Sequence, residues 1–137
     1  MELPTDRIRP TVKTYEASIE RIHIPADLMQ RLKRVATAEG TTLFILLYTA
    51  FQTLMHRLSK QEEFVLGLVA AGQTVAGFEK VVAHGVSLLP VRTHTQANTT
   101  FQQHLKNMRR TILDAFDHQQ YSLGALVRHL KLTRDPG

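Results

Sequence analysis

The chain predicts an α/β domain of the α+β type, a mixed sheet with flanking helices, and that sheet looks incomplete. Three observations carry this reading. Residues 101–117 repeat apolar side chains every three or four positions, the period of a helix packed on a core. Residues 64–71 and 86–92 are short apolar runs bounded by turn residues, the pattern of strands. The order strand, helix, helix, strand, strand, helix, helix places helices on one or both faces of the sheet. Three strands are fewer than most sheets contain. The chain therefore looks like part of a larger fold.

Each element has a local cause. Residues 1–14 read as an extended linker, because Pro4 and Pro10 fix φ and push their predecessors toward extended geometry. Residues 15–24 read as a strand, with Ile22 and Ile24 on one side and Arg21 and His23 on the other. Pro25 opens a helix to about Glu39. Leu28, Leu32, Val35 and Ala36 form its apolar stripe, with Arg31, Lys33 and Arg34 mostly off it. Gly40 supplies the left-handed residue that ends it.

Thr41 or Thr42 caps a second helix to about Ser59. Leu43, Phe44, Ile45, Leu46 and Leu47 make its start apolar nearly all round, so burial on most sides is expected. Its end places Leu54, Met55 and Leu58 inward and His56, Arg57 and Lys60 outward. The run 64–71 suits a strand covered on both faces, with Gly67 marking a bulge or a close approach. Residues 71–77 are a loop. Pro90 suggests that strand 86–92 lies at an edge. Thr99 or Thr100 caps the third helix, whose stripe is Phe101, Leu105, Met108, Ile112 and Ala115. Ser122 opens a short last helix with Leu123, Leu126, Val127 and Leu130 inward.

Composition narrows the function. A chain of 137 residues is one domain or a piece of one, at roughly 100–200 residues per domain. With 43% hydrophobic and 21% charged residues, the body of the chain has the composition of a folded one. Zero cysteines exclude a disulfide scaffold, a thiol nucleophile and a cysteine-held zinc or iron–sulfur site. The net charge of +5 and pI of about 9.9 permit an anionic partner. The basic residues are scattered among acids, however, so the footprint of a nucleic-acid binder is missing. No signal peptide opens the chain, and no apolar stretch approaches the ~20 residues of a membrane span. A cytoplasmic protein is expected.

None of the seven histidines pairs with another at helical metal-binding spacing, so no metal site is expected. Most of them read as surface residues. His118, with Asp114 four residues before it and Asp117 beside it, fits an imidazole at a helix C-terminus better than a general base.

Residues 3–10, Glu63 to Gln73, His84 to Arg92, Ala115 to Tyr121 and Arg134 to Gly137 together resemble, in order, the condensation domains of nonribosomal peptide synthetases. Leu3-Pro4-Thr5-Asp6-Arg7-Ile8-Arg9-Pro10 is similar to the connector by which that family leaves its N-terminal lobe, with Ile8 in place of proline. The strand and loop from Glu63 to Gln73 resemble the family strand ending Gly-Thr-Pro-Val-Ala-Gly-Arg. Gly67 and Gly72 match, and Gln73 replaces arginine. His84-Gly85-Val86-Ser87-Leu88-Leu89-Pro90-Val91-Arg92 resembles the Phe-Val-Asn-Thr-Leu-Pro-Leu-Arg motif, with Ser87 for asparagine and Leu88 for threonine. Residues 115–121 resemble the His-Gln-Asp motif through His118 and Gln119, with Gln120 for aspartate. Arg134-Asp135-Pro136-Gly137 is similar to the start of the last motif. A histidine before the second strand, with Tyr121 and Ser122 after His-Gln, resembles a subgroup found in hybrid polyketide–peptide synthases.

The resemblance implies a fold like chloramphenicol acetyltransferase, two lobes flanking a tunnel. Residues 1–14 would be the interlobe linker and residues 15–137 about the first two-thirds of the C-terminal lobe. Gly72, His84, Val86, Ser87, Arg92, His118 and Gln119 are the tunnel and motif candidates. The family motif His-His-x-x-x-Asp-Gly belongs to the other lobe, and no two histidines are adjacent here. No catalytic residue is therefore expected in this chain, and catalysis by it alone is not expected. Partners implied are the N-terminal lobe, and acyl and peptidyl carrier domains that deliver substrates on phosphopantetheine arms. This chain itself would bind no cofactor. Two basic faces, Arg31, Lys33 and Arg34 or Lys106, Arg109 and Arg110, are candidates for docking acidic carriers. The alternative is a stand-alone module that binds a carrier or another partner without chemistry. Self-association through uncovered apolar surface is also expected.

Overall fold

The computed structural model describes residues 3–7, 14–71, 77, 80, 82, 85–96 and 98–131. Its elements run α1 (Ala26–Ala38), α2 (Leu43–Ser59), β1 (Glu63–Ala71), β2 (Val86–His94), α3 (Phe101–Asp117) and α4 (Leu123–His129). The helix boundaries follow capping chemistry. The side chains of Thr42, Thr100 and Ser122 accept hydrogen bonds from the backbone N–H of Ile45, Gln103 and Ala125. Gly40 adopts a φ of 62°. Its N–H donates to the Thr37 carbonyl at 3.1 Å and that of Thr41 to the Ala36 carbonyl at 2.9 Å, closing α1 in a Schellman motif. Lys60 closes α2 in the same left-handed region, with φ 55°.

β1 and β2 form an antiparallel pair in unbroken register from Glu63↔His94 to Ala71↔Val86. Gly67 therefore marks no bulge. It marks a close approach: a Cβ placed there would lie 2.8 Å from Leu88 Cδ1. The pleat sends Phe64, Leu68, Ala70, Leu89, Val91 and Thr93 to one face, where all are buried. That face packs with Ala36 of α1, Ile45 and Leu46 of α2, and Leu105, Met108 and Ile112 of α3 to make the core.

Four expectations are corrected. Residues 15–24 form no strand, and Ile19 and Ile22 are exposed. Their alternation suits a pleat, but no neighbour among the described residues offers the cross-strand contacts that stabilise one. The β1–β2 pair is not covered on both faces, since Val65, Val69, Val86 and Leu88 stand outward and exposed. α2 is not buried on most sides. Ile45, Leu46, Thr49, Gln52 and Met55 face in, while Phe44, Phe51, Leu54 and Leu58 face out. Leu28, Val35, Phe101 and Leu130 also lie outward, for no described element packs over them. The accessible surface totals 11474 Å², against about 7,200 Å² for a compact monomer of this mass. The two uncovered flanks and residues 14–24 contribute to that excess.

Candidate functional site

The chain path decides which motif residues meet. Only six residues, 95–100, join β2 to α3, so the end of β2 and the start of α3 are neighbours. α3 packs back along β2, and the two elements have similar lengths of about 25–30 Å. The start of β2 therefore lies toward the end of α3. Val86 and Ser87 fall at that end of the sheet, beside Ala71 at the end of β1. His118 and Gln119 follow the last turn of α3. α4, which begins four residues later, also packs on β2.

The pleat separates these residues by face. Ser87 shares the inner face with Leu89 and Val91, and its Oγ is buried without a hydrogen-bond partner among the described residues. Val86 points outward and is half exposed. Arg92 is also outward but about 20 Å along the strand from Val86, at ~3.3 Å per residue. Its Nη2 donates to Glu63 Oε1 at 2.6 Å, and His94 Nδ1 lies 3.7 Å from the same oxygen. Arg92 thus belongs to an exposed cross-strand ion pair and is not brought to Ser87. Gly72 and His84 lie outside the described residues.

His118 caps α3. Its Nδ1–H donates to the Asp114 carbonyl at 2.8 Å, and its backbone N–H donates to the same oxygen at 3.2 Å. The imidazole is held by its own helix, with the ring on the surface. This is the helix-terminal arrangement that its spacing from Asp114 implies.

The two basic faces have different surroundings. Lys106, Arg109 and Arg110 border a cavity of about 500 Å³ with Glu39, Gly40, Leu113 and Asp114. Arg31 and Arg34 border another of about 410 Å³ with Val35 and Ala38. Both reach the last turn of α1. That turn is tied to α3 where Gln102 Nε2 donates to the Glu39 carboxylate at 2.8 and 3.0 Å. Lys33 lines neither cavity. Five cations thus border the two grooves against two carboxylates, and none of the five is held in an ion pair among the described residues.

Known proteins share both the sequence and this geometry. The family model for the Condensation domain matches residues 1–137. The chain belongs to the condensation-domain family. Gramicidin S synthase 2 of Brevibacillus brevis is 36% identical over 135 residues, 98% of this chain but 3% of the synthase. Tyrocidine synthase 2 of Brevibacillus parabrevis is 34% identical over 137 residues, 100% of the chain and 4% of the relative. A four-domain nonribosomal peptide synthetase solved with AMP and glycine superposes with a TM-score of 0.92 and 22% identity over 98% of this chain, which is 10% of that structure. The condensation domain of the Monacolin K polyketide synthase MokA gives 0.75 and 20% over 82% of this chain and 25% of that one. The fold is thus that of condensation domains, and the chain spans a small part of each relative.

Sequence reasoning missed one cluster. Gln52, Thr93, Thr95 and His104 are all buried, although no motif marks them and their polar side chains suit a surface. For His104 the signal was present. It stands three residues after Phe101 and four before Met108, on the apolar stripe of α3. Among the described residues, no group of three or more potential metal ligands occurs, and no helix is long and apolar enough to cross a membrane.

Proposed function

We propose that this chain is part of the C-terminal lobe of a condensation domain that joins a carrier-bound acyl donor to an amine acceptor. The family match across residues 1–137 carries the reading. Residues 1–14 connect the lobes. The end of the sheet near Ser87, with Gln119 beyond α3, contributes to the tunnel wall. The catalytic histidine is supplied by the N-terminal lobe. Phosphopantetheine arms of acyl or peptidyl carrier domains bring the substrates. The donor arises from peptide or polyketide assembly, since relatives of both kinds share the fold.

The grooves bordered by Arg31, Arg34, Lys106, Arg109 and Arg110 receive an acidic carrier domain. Excess positive charge held in no ion pair among the described residues supports this, because unpaired surface charge steers an oppositely charged partner. Titration with a phosphopantetheinylated peptidyl carrier domain tests it. Raising salt from about 0.1 to 1 M shortens the screening length from ~10 to ~3 Å, and binding is expected to weaken more than tenfold. Arg109→Glu with Arg110→Glu is expected to do the same at low salt. Binding indifferent to both changes would remove the docking role from these grooves. The chain alone is expected to form no amide from loaded carriers, and the chain joined to an N-terminal lobe bearing the His-His motif is expected to form it. Amide formation by the chain alone would overturn the division of labour.

A further inference from the structure

The end of the core where β2 turns toward α3 is polar. His104, in the second turn of α3, is 2% exposed, and neither ring nitrogen has a hydrogen-bond partner among the described residues. Gln52 of α2 donates through Nε2 to Thr93 Oγ1 of β2, but its Oε1 is buried without a partner. Thr95 Oγ1 is in the same condition. The short 95–100 connection holds this end of β2 against the start of α3. Buried groups of this kind are normally paired, and each orphan costs free energy. Burying an imidazolium costs more than burying the neutral ring, because it takes a charge out of water.

The charged surroundings offer that cation no compensation. From α2 the titratable group facing His104 is His56, whose own proton would repel it. Tyr48 lies two turns before His56 on α2, and desolvation pushes its phenol up to about 12, with Gln52 pulling the other way. It stays neutral. The inward residue of β2 at this end is Thr93, and the buried Thr95 follows the strand. Glu63, its partner Arg92 and the His94 ring belong to the outer face. From β1 the inward residue is Phe64, and Glu62 contributes its backbone carbonyl to Thr95. On α3 itself Lys106 is exposed.

We propose that His104 is an acid-sensitive latch: neutral, it fills the joint between α3 and the α2–β2 layer, and protonated, it releases the first half of α3 with the Lys106, Arg109 and Arg110 face. The inference stands on burial and missing partners and does not depend on what that face binds. Burial, and then the charge of His56, hold the imidazole below its usual value. The sign follows. Once opened, His104 takes a proton near the ordinary value of about 6.5, while the closed form resists it. The latch is therefore closed above about pH 6.5, and its stability is lost as pH falls from there through the lower value of the closed form.

The test compares the 137-residue chain with His104→Leu, which keeps an apolar body and removes both nitrogens. Urea unfolding at pH 7.5 and 5.0 is expected to show the unfolding constant of the natural chain rising, relative to the variant, by up to about thirty-fold. Hydrogen exchange, corrected for intrinsic rates, is expected to accelerate at pH 5.0 in residues 101–110 before β1 and β2. An NMR titration of His104 in the unaltered chain needs no variant and is expected to give a midpoint well below 6.5. Parallel pH dependence in the two proteins, uniform loss of protection, or a His104 midpoint at or above about 6.5 would each overturn the latch.

Discussion

The two faces of the β1–β2 pair are built from similar residues and have opposite fates. Inward, Leu68, Leu89 and Val91 are at most 3% exposed under α3. Outward, Val65, Val69, Val86 and Leu88 are 41–70% exposed. An alternating strand puts polar residues on its solvent face. This pair does so only at the Glu63, Arg92 and His94 end. The composition of the other end is that of a buried sheet. It fits a strand pair at home in a larger assembly, and it accords with a chain that spans a quarter or less of the solved structures named above.

The sharpest way to break the comparison is to truncate one apolar side chain on each side. Leu105→Ala, in the inner layer, is expected to destabilise the chain by about 3 kcal/mol, the transfer cost of the side chain plus the cavity left. Val69→Ala, on the outer face, is expected to change stability by no more than ~0.5 kcal/mol. Urea denaturation of both variants decides it. Comparable losses would mean that the outer face is already covered in the isolated chain.

The second prediction asks what covers that face when no other lobe is present. We expect the isolated chain to dimerise at micromolar concentration, either over the outer valines and Leu88 or by adding strands at a free edge. Leu88→Ser is expected to weaken association at least tenfold, about 1.4 kcal/mol. Sedimentation of the unaltered chain as a single species near 15.5 kDa would show that this apolar face does not drive association.

These faces also mark where sequence patterns reach their limit. The helices were legible to within a residue or two, because Thr42, Thr100, Ser122 and Gly40 announce their ends by local chemistry. The burial of Leu105, Met108 and Ile112 was legible because period and hydrophobicity agree. The exposure of Val65, Phe51 and Leu54 was not. An apolar residue is written the same way whether its cover belongs to the same described elements or to others. Residues 15–24 failed for a related reason: the pattern of a strand was present, but a strand is a property of a pair. At the site, the helix-capping role of His118 could be read from its distance to Asp114. The separation of Arg92 from Ser87 follows from the pleat, since residues five apart on one strand point to opposite faces, but which of those faces is buried is set by the packing of α3 and not by the motif. His104 lay on a legible stripe, and its polar identity hid it.

The smallest effect is also the most discriminating. Gly67 sits on the outer face opposite Pro90, and a Cβ there would come within 2.8 Å of Leu88 Cδ1 and 3.1 Å of its Cδ2 and Cγ. Its φ lies outside the left-handed region, so alanine meets no backbone strain. Relief of glycine's entropic cost, ~0.5–1 kcal/mol in a strand, opposes the cost of moving Leu88. In the isolated monomer Leu88 is 41% exposed and free to swing toward solvent. Gly67→Ala is therefore expected to shift monomer stability by less than ~0.5 kcal/mol. Once the outer face is covered, Leu88 loses that freedom, and the substitution should weaken the covering contact although it adds apolar area. Urea unfolding of dilute protein and sedimentation of concentrated protein separate the two effects. A monomer destabilised by more than about 1 kcal/mol would show that Leu88 is already locked in the isolated chain, and that the two faces of this sheet differ less than their exposure suggests.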